Sequence, residues 1–171
     1  GPVWSADGRW LAYGSTARNG RDTDVWVLDM DGGPARAVVT EGGSWSATGF
    51  SPDGRELLVQ RRVSIAESHP GAVDLASGKL TMFPVEGGTA AFGDFRYAPD
   101  GRGVYYISDE GSDFPRLRFH ALSSRHEAVL GGDAPWGVEA FALSGDGRHV
   151  AFVRNEDGYG VLHLLDGTTH A

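Results

Sequence analysis

The strongest candidate for a catalytic nucleophile is a serine that follows two glycines. The segment Gly42-Gly43-Ser44-Trp45-Ser46 approaches the G-x-S-x-G pattern, which holds a nucleophilic serine on a strained turn between a strand and a helix. The closing glycine is missing, and the residues that follow predict a strand rather than a helix. We therefore interpret the segment as a turn before a strand, and the sequence predicts no catalytic residue.

The histidines and the cysteine content give no pattern for a metal or a cofactor. Three of the six histidines lie in predicted loops or at the chain end: His69, His126 and His170. Two others, His120 and His163, occupy similar places on predicted strands. No H-x-x-x-H or H-E-x-x-H spacing occurs, and the absence of cysteine removes thiolate ligands. We expect no metal ion and no cofactor.

Carboxylates are numerous, but their spacing is typical of turns. They cluster at Asp22-Thr23-Asp24, Asp29-Met30-Asp31, Asp109-Glu110 and Glu156-Asp157. A calcium loop needs alternating oxygen ligands and a distant bidentate glutamate, and none of these segments has that pattern. Aspartate recurs beside glycine because its side chain hydrogen-bonds the backbone of a turn. Arg61 and Arg62 are adjacent on a predicted strand and point to opposite faces, so at most one lines any given site.

One phrase recurs four times and predicts the elements that carry these residues. Its Asp-Gly pairs lie 46, 47 and 46 residues apart, and each precedes an apolar run: Asp7-Gly8, Asp53-Gly54, Asp100-Gly101 and Asp146-Gly147. We interpret the pairs as structural turns between two strands. A repeat of this length, built of short strands and turns, indicates a β-propeller in which each repeat is one four-stranded blade. The sequence predicts an all-β fold of about four antiparallel blades.

The repeat also predicts the strand positions. Second strands are expected at 10–15, 56–61, 104–108 and 149–154, third strands at 24–29, 71–75, 116–122 and 160–165, and fourth strands at 35–40, 79–83 and 127–130. The stretch 63–70 is predicted as a loop, and no segment has helical periodicity. We expect a single domain with blades at 1–43, 44–88, 89–134 and 135–171, the last lacking its outer strand.

Charge and chain ends restrict the partners. The net charge of −8 argues against nucleic acid or anionic lipid as a ligand, and no apolar stretch is long enough to predict a membrane span. The chain starts at Gly1 without an initiator methionine, and we expect a piece of a propeller of seven or eight blades, or a half propeller. Its open blade edges predict a homodimer. The expected location is cytoplasmic, or periplasmic where a signal lies upstream.

The repeat sequence resembles a known group of propellers. The phrase Phe50-Ser51-Pro52-Asp53-Gly54-Arg55 and the run 24–33 are similar to the WD-repeat-like blades of TolB-type propellers and of the prolyl oligopeptidase family. The run 151–159, followed by 162–166, resembles blades of bacterial dipeptidyl aminopeptidases and acylaminoacyl-peptidases. The resemblance extends over essentially the whole chain.

The resemblance implies a non-catalytic cap. In these peptidases the propeller covers an α/β-hydrolase domain and limits access of peptides, so the implied partners are that domain and, indirectly, peptide substrates. Some dipeptidyl peptidases hold the substrate amino terminus with two adjacent propeller glutamates, but this sequence has no Glu-Glu pair. Two alternatives stay open: a TolB-like scaffold that binds a protein or peptide, and a half propeller that completes itself by assembly.

Overall fold

The computed structural model describes residues 1–85 and 89–171. These residues form fifteen β-strands in four antiparallel sheets, and none of them lies in a helix. The predicted all-β class is therefore confirmed. The predicted blade boundary at residue 88 lies outside the described residues. No helix among the described residues is long and apolar enough to cross a membrane.

The chain divides into two compact units, Gly1–Ala91 and Phe92–Ala171. The first unit holds two four-stranded sheets in sequential order. The first sheet contains β1 (Val3–Trp4), β2 (Trp10–Ser15), β3 (Asp24–Asp29) and β4 (Arg36–Val39). The second sheet contains β5 (Ser44–Phe50), β6 (Glu56–Arg62), β7 (Ser68–Asp74) and β8 (Leu80–Met82).

The second unit repeats this plan with one strand fewer. The third sheet contains β9 (Phe92–Tyr97), β10 (Gly103–Ser108), β11 (Arg116–Ala121) and β12 (Glu127–Leu130). The fourth sheet contains β13 (Val138–Leu143), β14 (His149–Glu156) and β15 (Tyr159–Asp166). Residues 167–171 form no strand, so β15 is the outermost strand of the fourth sheet.

Each Asp-Gly phrase connects the first two strands of a sheet. The glycines have φ of 69° to 73°, the left-handed region that glycine adopts without a steric penalty: Gly8, Gly54, Gly101 and Gly147. In every turn a carboxylate accepts a hydrogen bond from the backbone N–H two residues later: Asp7, Asp53, Asp100 and Asp146. The repeated phrase thus makes the same turn four times.

A hydrophobic core lies between the two sheets of each unit. In the first unit, Ala12, Val25 and Val27 of the first sheet pack with Leu57 and Val59 of the second sheet. The second unit is built alike: residues of β10 and β11 pack with residues of β14, a cluster that contains Tyr105, Leu117, Phe119, Val150 and Phe152. Large side chains between stacked sheets supply most of the apolar burial.

One strand begins earlier than the sequence predicted. β7 starts at Ser68 rather than at residue 71, so the loop covers only residues 63–67 and Pro70 lies within a strand. The Pro70 carbonyl accepts a hydrogen bond from Phe83 N, and the nitrogen of the same residue faces the same side. Because β8 ends at Met82, the missing N–H of proline interrupts no pairing there. The other predicted strands match the observed bounds within two residues.

Candidate functional site

The loops of the second unit that connect second strands to third strands lie at one edge, together with the connection between its two sheets, and we call this edge the loop edge. It comprises residues 109–115, 131–137 and 157–158. The Asp-Gly turns lie at the opposite edge because successive strands are antiparallel. A hydrogen bond of 2.8 Å from Val138 N to Pro115 O joins the start of β13 to the last residue of the loop before β11. The loop 109–115 is therefore bonded to the strand that follows residues 131–137.

An open polar depression of about 590 Å³ lies at the loop edge. Its lining includes Asp109, Asp113, Phe114, Arg116 and Asp133. The Arg116 side chain is only 9% exposed and lies 3.0 Å from the Asp133 carboxylate, which is fully exposed. Arg116 also donates to the Ala134 carbonyl and to the Ser112 hydroxyl. The Arg116 guanidinium in the depression is thus bound by acceptors of the protein itself.

The β14–β15 hairpin forms the other part of the loop edge. Asp157 and Gly158 both have positive φ, 52° and 85°, as a two-residue hairpin with right-handed strand twist requires. Gly158 N donates to Asn155 Oδ1, and Asn155 Nδ2 donates to Glu139. These bonds fix the tip, and they leave the Asp157 side chain exposed.

A histidine and a glutamate pair beneath this tip. His163 Nε2 lies 2.7 Å from Glu156 Oε1, and the imidazole stacks on Phe152 with ring centroids 4.8 Å apart. Arg154 lies 3.7 Å from the same glutamate, donates to the Gly131 carbonyl and lies over the Phe152 ring. The guanidinium and the imidazole are therefore both occupied by structural contacts.

The loop edge thus presents carboxylates outward while its cations are held inward. Asp113, Asp133 and Asp157 are exposed. Such a surface attracts ammonium groups, guanidinium groups and backbone N–H donors rather than anions.

The segment 42–46, which the sequence predicts to be a turn before a strand, leads into β5. Ser44 is the first residue of β5, pairs with Arg62, and forms a parallel bridge with Thr23. Gly42 and Gly43 have φ of 77° and 89° and form the turn before this strand. Gly43 N donates to Asp22, and this bond is the largest cause that lowers the pKa of the Asp22 carboxyl.

The remaining candidates are dispersed. His69 pairs with Glu67 at 3.0 Å, whereas His170 lies 2.8 Å from the Tyr105 hydroxyl. Arg61 and Arg62 are both exposed on β6. In residues 1–85 and 89–171 no three histidine or carboxylate side chains converge in a way that could hold a metal ion.

A serine two residues before the repeat aspartate is a feature that the sequence analysis did not interpret. Ser51 Oγ donates to Asp53 at 2.6 Å and accepts from Glu56 N at 2.9 Å. Ser5 and Ser144 do the same in their own turns, and the serine bond is the largest cause that lowers the pKa of the aspartate in each of these three turns. The third repeat has Ala98 instead. The signal was visible as serine in three of the four phrases.

Solved structures with this architecture settle the fold. TolB from Acinetobacter baumannii superposes with a TM-score of 0.78 at 21% identity, covering 98% of this chain and 41% of its own. The putative TolB from Agrobacterium tumefaciens gives 0.75 at 22% identity, covering 95% and 59%. The chain has a β-propeller fold. Its four sheets are propeller blades, and it spans less than two thirds of either TolB.

Peptidases share this blade architecture. Prolyl oligopeptidase B from Galerina marginata, bound to a 35mer hydrolysis and macrocyclization substrate, superposes with a TM-score of 0.74 at 11% identity, covering 98% of this chain and 25% of its own. The predicted resemblance to both groups of propellers is therefore confirmed at the level of fold. No family model matches the sequence, and no curated protein matches it.

Proposed function

We propose that this chain is the non-catalytic propeller segment of a serine peptidase of the prolyl oligopeptidase family, in which it acts as a cap that controls substrate access. The observation that carries the proposal is the β14–β15 hairpin. Residues 151–159, which resemble the peptidase blades, form this hairpin and its tip. The segment that resembles the peptidase blades is thus also part of the loop edge.

The charge of the loop edge supports a role in contacting peptides. Its exposed carboxylates suit the amino terminus or the basic side chains of a peptide, and its buried arginines are held by acceptors of the same unit. Rigid blades with charged loops can select peptides without taking part in bond cleavage. The function proposed is therefore substrate admission, with hydrolysis assigned to a separate domain.

The reading frame that encodes this segment provides the first test. We expect codons downstream of Ala171 to encode a G-x-S-x-G elbow followed by an acid and a histidine, the chain order of α/β-hydrolases. The isolated chain should neither hydrolyse aminoacyl or peptidyl chromogenic substrates nor react with a fluorophosphonate. Serine-directed labelling of the isolated chain, or a reading frame without the elbow, would contradict the proposal.

The loop edge provides the second test, on the full-length protein. Asp113→Asn with Asp157→Asn removes two exposed carboxylates while keeping side-chain size, and asparagine tolerates the positive φ at residue 157. We expect a several-fold rise in KM for peptides with a free amino terminus, with little change for blocked peptides. Asp31→Asn is the matched control, because this exposed residue lies at the Asp-Gly edge of the first sheet. Equal effects on free and blocked peptides would contradict substrate admission by these carboxylates.

A second candidate function is a TolB-like scaffold that binds a protein or peptide. The specific observation in its favour is the higher identity to the two TolB structures, 21% and 22%, than to prolyl oligopeptidase B, 11%. An export signal upstream of Gly1, together with no hydrolase elbow downstream, would favour this candidate. The sequencing experiment therefore separates the two.

A further inference from the structure

The outward face of the fourth sheet is apolar and exposed. Two rows of side chains lie on it. Ala140, Val153 and Leu162 are opposite one another across the three strands, and so are Ala142, Ala151 and Leu164. Leu162 and Leu164 are 63% and 68% exposed. We call these six residues the following face of the fourth sheet.

The same face is covered in other sheets of the chain. Leu164 pairs with Ala151, which is the third residue after the repeat arginine. At the same repeat position, the third-strand residue is Val27 in the first sheet and Phe119 in the third sheet. These two residues are only 1% and 7% exposed. By the same register, Leu162 is equivalent to Val25 and Leu117, which are fully buried. The repeat therefore has a built-in packing face that stays exposed in the fourth sheet.

The chain itself shows what covers this face. In the first unit the following face of the first sheet packs against Leu57, Val59 and Val73 of the second sheet. In the second unit the following face of the third sheet packs against Val150 and Phe152 of the fourth sheet. In both units, therefore, the following face of one sheet is covered by the opposite face of the next sheet. We call this opposite face the preceding face.

The first sheet has a preceding face that is also incompletely covered. Leu11 is opposite Leu28 and Trp4, and Tyr13 is opposite Trp26. Trp4 is 53% exposed, and the other four side chains are partly exposed. Their equivalents in the second sheet include Leu57, Val59 and Val73, all of which are at most 1% exposed. An aromatic and aliphatic face of the required kind is therefore present on every copy of the chain.

We propose that the following face of the fourth sheet docks on the preceding face of the first sheet of a second copy of this chain. The contact continues the blade-to-blade packing already seen within each unit. It is head-to-tail, because each copy contributes one face of each kind, and a dimer closes when the contact is made twice. The proposal concerns the 171-residue chain and corresponds to the half propeller that completes itself by assembly, so it is separate from the proposed peptidase function.

Light scattering on the 171-residue chain tests the association. We expect a molar mass that rises from monomer toward dimer between low micromolar and high micromolar concentration. Leu162→Asp with Leu164→Asp should weaken association at least about 100-fold, since buried charges replace two apolar anchors. Ile65→Asp with Val129→Asp is the control, because these apolar residues are 87% and 50% exposed and lie outside both faces. Circular dichroism verifies that each variant is folded.

Mixing two variants tests the head-to-tail geometry. Trp4→Asp alters only the preceding face, so it should also give a monomer. A mixture of Trp4→Asp with the Leu162/Leu164 double variant retains one intact pair of faces and should dimerise again. A wild-type chain that stays monomeric at high concentration overturns the proposal and shows that another partner covers the face. A dimer that survives Trp4→Asp, or a mixture that stays monomeric, overturns the head-to-tail contact.

Discussion

Asp24 and Arg116 occupy the same repeat position, the first residue of a third strand, and both are buried although they carry opposite charges. Asp24 is fully buried and accepts two hydrogen bonds from Arg18, at 2.6 Å and 3.0 Å. Arg116 is paired with Asp133, which is fully exposed. The position thus tolerates either charge when a partner comes from a neighbouring loop, and the two pairs differ in which member is buried.

This difference predicts unequal costs for removing the loop partner. Arg18→Gln leaves a fully buried carboxylate without its cation and should destabilise the protein by about 3 kcal/mol. Asp133→Asn removes an exposed carboxylate, while Arg116 keeps the Ala134 carbonyl and Ser112 as acceptors, so the loss should stay below about 1 kcal/mol. Urea denaturation measures both values. Arg21→Gln, at an exposed residue of the same loop as Arg18, is the control, and equal losses for Arg18 and Asp133 variants would contradict the argument.

The serine of the repeat turn gives a prediction with a control supplied by the chain itself. Ser51→Ala removes one bond to Asp53 and one from Glu56 N, and should destabilise the protein by about 1 kcal/mol. Ala98→Ser places a hydroxyl at the equivalent position of the third repeat and should stabilise it by up to about 1 kcal/mol. Thermal denaturation of both variants is the measurement. Changes of the same sign would show that the serine is not a turn determinant.

The same turns predict how stability depends on acid. Hydrogen bonds, that of the serine first, lower the pKa of Asp7, Asp53 and Asp146 below the ordinary 3.8. A carboxyl with a lowered folded-state pKa contributes stability above its unfolded pKa, and the contribution is lost as the pH falls through the folded value. Unfolding free energy should therefore decrease as the pH falls below about 4. Ser51→Ala should make this decrease shallower, and an unchanged slope would contradict the assignment.

The repeat phrase predicted the strands because it marks local turns. The second strands follow each Asp-Gly-Arg directly, so their positions depend only on neighbouring residues. The early start of β7 was missed because proline usually excludes a strand, and only the end of β8 at Met82 makes Pro70 acceptable. The residues around Pro70 do not show where the neighbouring strand β8 ends.

The candidate site was less predictable than the fold. The sequence predicts that Glu156 and Asp157 belong to a turn, but the pairing of Arg116 with Asp133 joins two segments that are distant in sequence. The exposure of individual side chains could not be predicted from the sequence either. Leu162 and Leu164 look like Val25 and Val27 in the repeat, and only the packing of the sheets distinguishes the exposed pair from the buried one.

A glycine between β12 and β13 is predicted to be irreplaceable. Gly131 has φ of 79°, and a Cβ atom there would lie 2.5 Å from Phe152 Cζ. Gly131→Ala should destabilise the protein by about 2 kcal/mol or more, through backbone strain and displacement of a core ring. Gly145→Ala is the control, because a Cβ atom there meets nothing within 4 Å. A neutral Gly131→Ala variant, measured by chemical denaturation, would contradict the packing described for Phe152.

His170 provides a prediction near neutral pH. Its imidazole lies 2.8 Å from the Tyr105 hydroxyl and 4.6 Å, centroid to centroid, from the Phe119 ring. Burial first, and the positive charge of Arg102 second, lower the pKa of His170 below the ordinary 6.5. The unfolded chain therefore binds more protons just below pH 6.5 than the folded chain does, so stability is lost as the pH falls from about 6.5 through the folded pKa.

A proton NMR titration of the histidine ring signals measures this pKa directly. Arg102→Gln should raise the pKa of His170, because it removes the nearby positive charge. Arg125→Gln removes an equal charge at an exposed turn residue and should leave the value unchanged. A His170 that titrates above 6.5, or that shifts equally in both variants, would contradict the described packing of the imidazole on Tyr105 and Phe119. Agreement would place His170 in the folded structure of the second unit, because only a packed imidazole senses both burial and one particular guanidinium.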